Sequence, residues 1–152
     1  MVDKPYIGVI GTSKISLEIE KIAFEVGYEI ANRGGILVCG GLGGVMEAAC
    51  QGAKKAGGIT IGILPDLNRN EANPYVDFAI CTGLQEARNL IIVRNSDALI
   101  AIGKGYGTLS EIAFAFKLEK PVIGIRTWST DLPLIETKNG QEAVNKAWMM
   151  LK

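Results

Sequence analysis

The chain has 152 residues, 16 basic and 16 acidic side chains, three cysteines and no histidine. A chain of this length fits one domain and buries roughly 68–70% of its unfolded surface. Balanced charge, with no basic run beyond Lys54-Lys55, lacks the footprint of a nucleic-acid binder.

In chain order, residues 6–10 predict a first strand. Residues 16–33 predict a helix, with Ile19, Ile22, Ala23, Val26 and Ile30 at helical spacing and Gly34-Gly35 as its stop. Residues 36–39 are a second strand, 44–56 a second helix and 60–64 a third strand. Residues 65–75 are polar and predict a loop, at about eleven residues long enough for a task such as a lid. Residues 78–81 are a short strand. Thr82 and Gln85 suggest a capping box opening a helix over residues 84–95. A strand at 98–102, a helix at 109–118, a last clear strand at 121–125 and a closing helix at 141–151 complete the pattern. Unalternating apolar strands separated by helices predict a parallel sheet covered on both faces: a Rossmann-like, doubly wound, three-layer α/β fold in a single domain over residues 1–152.

One phrase occurs twice. Gly41-Leu42-Gly43-Gly44-Val45-Met46-Glu47 and Gly105-Tyr106-Gly107-Thr108-Leu109-Ser110-Glu111 both read G-x-G-[G/T]-x-x-E, each between a strand and a helix. Glycine there leaves backbone N–H groups uncovered where the helix dipole is positive, which suits a phosphate or carboxylate. Gly11-Thr12-Ser13, residues 40–44 and residues 103–108 all fall at the carboxyl ends of strands, where such sheets bind ligands.

The missing residue types narrow the chemistry. Without histidine there is no Ser-His or Cys-His pair, and no two cysteines have zinc-knuckle spacing. Gly103-Lys104-Gly105 is not a P-loop, and Gly8-Val9-Ile10-Gly11 is not the dinucleotide fingerprint. Cys39, Cys50 and Cys81 lie in apolar surroundings, as reduced core thiols do. With neither a signal-peptide nor a membrane-span pattern at the N-terminus, the expected location is the cytoplasm.

At these residues the chain resembles the Lonely Guy (LOG) family of Rossmann-like proteins, some of them labelled possible lysine decarboxylases. The resemblance runs through Gly11-Thr12-Ser13, Gly40 to Met46, Gly62-Ile63-Leu64-Pro65, and Arg88 to Glu111. It implies cleavage of the N-glycosidic bond of a nucleoside 5′-monophosphate, with Arg88 and Glu111 as catalytic residues. The implied ligand-binding set is Gly11, Thr12, Ser13, Gly40, Gly41, Gly43, Gly44, Met46, Lys104, Gly105, Tyr106, Gly107 and Thr108. The family reads P-G-G-x-G-T-x-x-E after an Arg-Lys pair. Here Asn89 stands for the Lys and Gly103-Lys104-Gly105 for Pro-Gly-Gly. Those departures resemble a branch that includes molybdenum-cofactor carrier proteins, which implies binding of a phosphorylated pterin instead of hydrolysis. The ligand is then an AMP-like nucleotide or a molybdopterin-type molecule, and no metal or further cofactor is required.

Plainer readings stand beside these. Thr108 and Glu111 have the spacing of a capping box, and Glu47 offsets a helix dipole. Arg88 alone reads as a surface arginine, and the glycines as turn residues. Leu90 to Val93 and Ile112 to Phe116 are apolar almost all round their helices, so a second surface must cover them. A homodimer, which the family resemblance also implies, is one answer. The closing helix with Trp148, Met149 and Met150 is the other.

Overall fold

The structure is a computed structural model and describes residues 3–129 and 131–151. The apolar runs form β1 (Tyr6–Gly11), β2 (Ile36–Cys39), β3 (Ile59–Leu64), β4 (Phe78–Cys81), β5 (Ala98–Ile102), β6 (Val122–Ile125) and β7 (Ile135–Thr137). The periodic runs form α1 (Leu17–Asn32), α2 (Val45–Lys55), α3 (Arg88–Arg94), α4 (Tyr106–Lys117) and α5 (Gly140–Met150). All paired strands run parallel, in the order β4-β3-β2-β1-β5-β6-β7. Every residue of β5 is buried, as a central parallel strand with helices on both faces requires. The Rossmann-like α/β fold expected from the sequence is the fold found.

Strand order decides where a ligand can enter. The chain steps outward from β1 to β4, then returns to lay β5 against the other side of β1, with Gly11 opposite Ile102. At such a reversal the two flanking loops leave toward opposite faces and a crevice opens between them.

Two cores hold the layers. Ile7, Val9, Ile100 and Ile123 pack with Val26 of α1, Ala49 of α2 and Val144 of α5. Ile10, Val38, Leu99 and Val122 pack on the other face with Ile92 and Val93 of α3 and Ile112 and Ala115 of α4. α5 is tied to α1: the Gln141 N–H donates to Glu25 at 2.7 Å, and the Arg33 guanidinium lies 5.7 Å from the Trp148 ring centre. The closing helix therefore does not cover α3 and α4. On that face Ile91, Phe114 and Phe116 stay partly buried, beside Trp128, Leu132 and Leu134.

Three expectations need correction. β7 was not anticipated, because Ile-Glu-Thr offers one apolar residue and no pattern. α3 does not begin at residue 84. The Thr82 hydroxyl donates to the Leu64 carbonyl (2.7 Å) and accepts from the Leu84 N–H (3.2 Å), so it closes a turn instead of capping a helix. Gln85 takes φ +53° and donates to Asp66, and a short 3₁₀ turn (Gln85–Ala87) precedes the helix. The loop at 65–75 holds its own 3₁₀ turn (Arg69–Glu71) and is fastened by Asn73, whose amide donates to the Leu42 carbonyl at 2.9 Å. None of its residues reaches the crevice described below.

The loop after β1 is clamped from both sides. The Thr12 N–H donates to the Ile102 carbonyl at 3.2 Å, and the Thr12 carbonyl accepts from the Val45 N–H at 3.1 Å. Gly44 makes the second contact possible. It sits at φ +70°, and a Cβ there would lie 2.6 Å from the Thr12 carbonyl oxygen and from the Ser13 Cα. Gly44→Ala should destabilise the fold by about 1–3 kcal/mol from the backbone alone, with the clash added. A urea melt giving an unchanged midpoint would contradict that clamp.

Candidate functional site

A cavity of about 400 Å³ occupies the crevice at the ends of β1 and β5. The β1 loop supplies Gly11, Thr12 and Ser13, and the β2 loop with the start of α2 supplies Gly40 and Met46. Arg88 comes from the first residue of α3, and Lys104, Gly105, Tyr106, Gly107, Thr108 and Glu111 from the β5 loop and α4. Gly41, Gly43 and Gly44 do not line it. The two copies of the repeated phrase thus diverge: the first shapes the backbone around Thr12, and the second faces the cavity. A larger cavity, about 510 Å³, lies among Asp97, Glu119, Lys120 and Trp148 at the opposite end of the sheet, away from all of these loops.

The floor of the site is built of amides. The Leu109 N–H closes the first turn of α4 onto the Gly105 carbonyl at 2.9 Å. The N–H groups of Tyr106, Gly107 and Thr108 therefore precede any partner within the helix. They point where the dipole is positive, a geometry that accepts an anion. Gly105 is the N-cap with extended backbone and no side-chain cap bond, so the capping box suggested by Thr108 and Glu111 is not formed.

Arg88 and Glu111 both line this cavity, near enough for their charges to interact. Arg88 is pinned: its Nε donates to the Ile63 carbonyl at 2.9 Å, Nη2 to the Gly40 carbonyl at 3.4 Å, and Nη1 to the Asn89 side chain. Burial lowers its pKa, while the nearby Glu111 charge works to raise it. Glu111 is 7% exposed. Burial outweighs the attraction of Arg88 and pushes its pKa up to about 8. Burial thus favours the neutral carboxyl, and Arg88, Lys14 and Lys104 outnumber this one acid, so the cavity wall is net positive.

Asn89 is a site residue that sequence reasoning treated only as a departure. It is buried, lines the cavity, and donates through Nδ2 to Ser110 Oγ at 3.1 Å. Ser110 in turn donates to the Gly107 carbonyl at 2.6 Å. This chain couples the start of α3 to the amide floor. Val9, Ile10 and Lys14 also line the cavity. Lys14, next to Gly11-Thr12-Ser13, was the one readable signal among them. Behind the site, the buried thiols of Cys39 and Cys50, eleven residues apart in sequence, share a hydrogen bond at 3.5 Å and form no disulfide. Among the described residues, no group of three or more histidine, cysteine or acidic side chains could hold a metal ion, and no helix is long and apolar enough to cross a membrane.

The profile of the SLOG cluster4 family matches residues 4–150. The chain belongs to that family. Its fold is that of a molybdenum cofactor binding protein from Rippkaea orientalis, 40% identical, with a TM-score of 0.92 and 99% of each chain covered. The molybdenum cofactor carrier protein of Chlamydomonas reinhardtii is 36% identical, with a TM-score of 0.88 over 97% of this chain and 98% of that one. Among LOG enzymes, a cytokinin riboside 5′-monophosphate phosphoribohydrolase of Mycobacterium tuberculosis is 36% identical over 121 residues, 73% of this chain and 64% of the enzyme. The LOG resemblance read from the glycine loops therefore holds, and these two carrier-type structures match over nearly the whole chain.

Glu111 makes the site readable by pH. The folded state holds a proton that the unfolded chain, with an ordinary value of 4.5, releases. Wild type should therefore lose stability as pH rises from about 4.5 to about 8, by at most about 1.4 kcal/mol per unit. Glu111→Gln lacks that slope, so its melting temperature relative to wild type should climb between pH 5 and pH 8 and level off above. A constant gap across that range would mean that Glu111 titrates as an ordinary surface carboxyl.

Proposed function

We propose that this chain binds a small ligand bearing a phosphate and a planar heteroaromatic ring, of molybdopterin or AMP-like type, and holds it without turnover. The observation that carries this reading is the charge of the cavity. Three cations and a row of helix amides line the cavity against one carboxyl whose neutral form burial favours, so a phosphate meets net attraction. The carrier-type neighbours, matched end to end, support it.

One observation favours a second reading, hydrolysis of a nucleoside 5′-monophosphate. Arg88 and Glu111, the pair implied by the LOG resemblance, do line one cavity. Cleaving the N-glycosidic bond builds positive charge on the sugar, and an ionised carboxylate beside it stabilises that charge. Burial, which disfavours the ionised form of Glu111, counts against this, and Asn89 supplies no cation where the family has lysine.

The readings separate in one set of measurements. Mass spectrometry of small molecules released from the purified protein should reveal a phosphorylated pterin or nucleotide. Incubation with AMP should give no free base. If base is released, and Glu111→Gln lowers the rate about a hundred- to a thousand-fold, the enzyme reading replaces the carrier.

A homodimer over α3 and α4 belongs to the same reading. Ile91, Phe114 and Phe116 present an apolar face that α5 leaves uncovered, and a second copy of the chain would bury it. Light scattering at micromolar concentration should give twice the chain mass, and Phe114→Glu should shift it toward the monomer. Residence in the cytoplasm fits the free cysteines and stays part of the proposal.

A further inference from the structure

A second cavity of about 320 Å³ sits at the ends of β6 and β7, and Lys104 is part of both walls. The amide floor of residues 106–108 belongs only to the first cavity. A ligand whose ring and sugar lie against Arg88 and Glu111, with its phosphate on that floor, ends at Lys104. Whatever follows the phosphate has this second cavity to enter.

Its wall is polar and carries an unmet donor. Thr127 is 6% exposed, and its hydroxyl has no hydrogen-bond partner among the described residues. A buried hydroxyl left unpaired is unfavourable, and a ligand acceptor would satisfy it. The neighbouring Thr137 hydroxyl already donates to the Gly124 carbonyl at 3.0 Å, whereas the Thr127 proton is uncommitted. Arg126 brings a second cation, held at the surface by an exposed pair with Glu18 that costs little to rearrange. Glu136 is the single acid lining the wall, so once Arg126 turns from Glu18 toward the cavity, it and Lys104 outnumber the acid there.

We propose that this cavity is a second phosphoryl subsite, so that the chain takes a ligand with two phosphoryl groups joined in line, as in a pyrophosphate linkage. The first phosphoryl rests on the α4 amides, Lys104 spans the bridge, and the second meets Arg126 and the Thr127 hydroxyl. This rests on the phosphate-binding reading of the first cavity and extends it to a class of ligand that a monophosphate hydrolase has no use for.

Inorganic phosphate and inorganic pyrophosphate test this without assuming any ring. In calorimetric titrations of the whole protein, pyrophosphate should bind at least tenfold more tightly than phosphate. Thr127→Val, which keeps shape and loses the donor, should bring that ratio below about threefold while phosphate affinity stays within twofold. Arg126→Ala, at an exposed position, should act in the same direction and serves if the buried variant does not fold. Thr127→Ser should restore the ratio. Equal affinities in wild type, or a pyrophosphate preference that survives both substitutions, overturn the subsite and leave the first cavity standing. If phosphate itself does not bind, or Lys104→Ala and Thr108→Val leave its binding unchanged, the first-cavity reading fails and the subsite falls with it.

Discussion

Everything at this site hangs on Thr12. Its amide reaches β5 and its carbonyl reaches the first turn of α2. Two glycines, Gly44 and Gly103, let neighbouring loops close on it, for a Cβ on Gly103 would lie 2.7 Å from the Thr12 methyl. A strand-order reversal by itself only opens a gap between two loops. The clamp at Thr12 fixes the width of that gap, and with it the separation of the amide floor from Arg88. Small residues at the ends of β1, β2 and β5 are therefore one device seen in three places of the sequence.

The fold was legible because its signals are local and repeated. Runs such as Ile36–Cys39 and Ala98–Ile102 carry no polar alternation, which already excludes an exposed face. The failures came where a side chain had a partner that sequence cannot reveal. Thr82 looks like a cap until Leu64 takes its proton, and Gln85 looks helical until Asp66 draws it into a turn. β7 is too short to carry any period.

The site was legible in its backbone and opaque in its electrostatics. The second glycine phrase is where the cavity lies, and Arg88 and Glu111 both reach it. The first phrase has the same letters but turns its glycines toward Leu64 and Ser13 instead of the cavity. Spacing cannot separate these roles, because both satisfy the same need for small residues at a strand–helix junction. The state of Glu111 was equally hidden. It depends on how much of the carboxyl the packing of α4 shields from water, a quantity that no motif contains.

The repeated phrase has one more result, in the field around the molecule. α2 and α4 pack on opposite faces of the sheet, yet both begin at the same edge, beside the same crevice. Their dipoles converge there from two sides. A chain with equal numbers of acidic and basic residues thereby acquires a positive mouth made partly of backbone. Partial charges fixed in peptide groups cannot be titrated away or swung aside like a lysine. Attraction for an anion is thus part of the architecture, and surface charges elsewhere remain free to change without abolishing it.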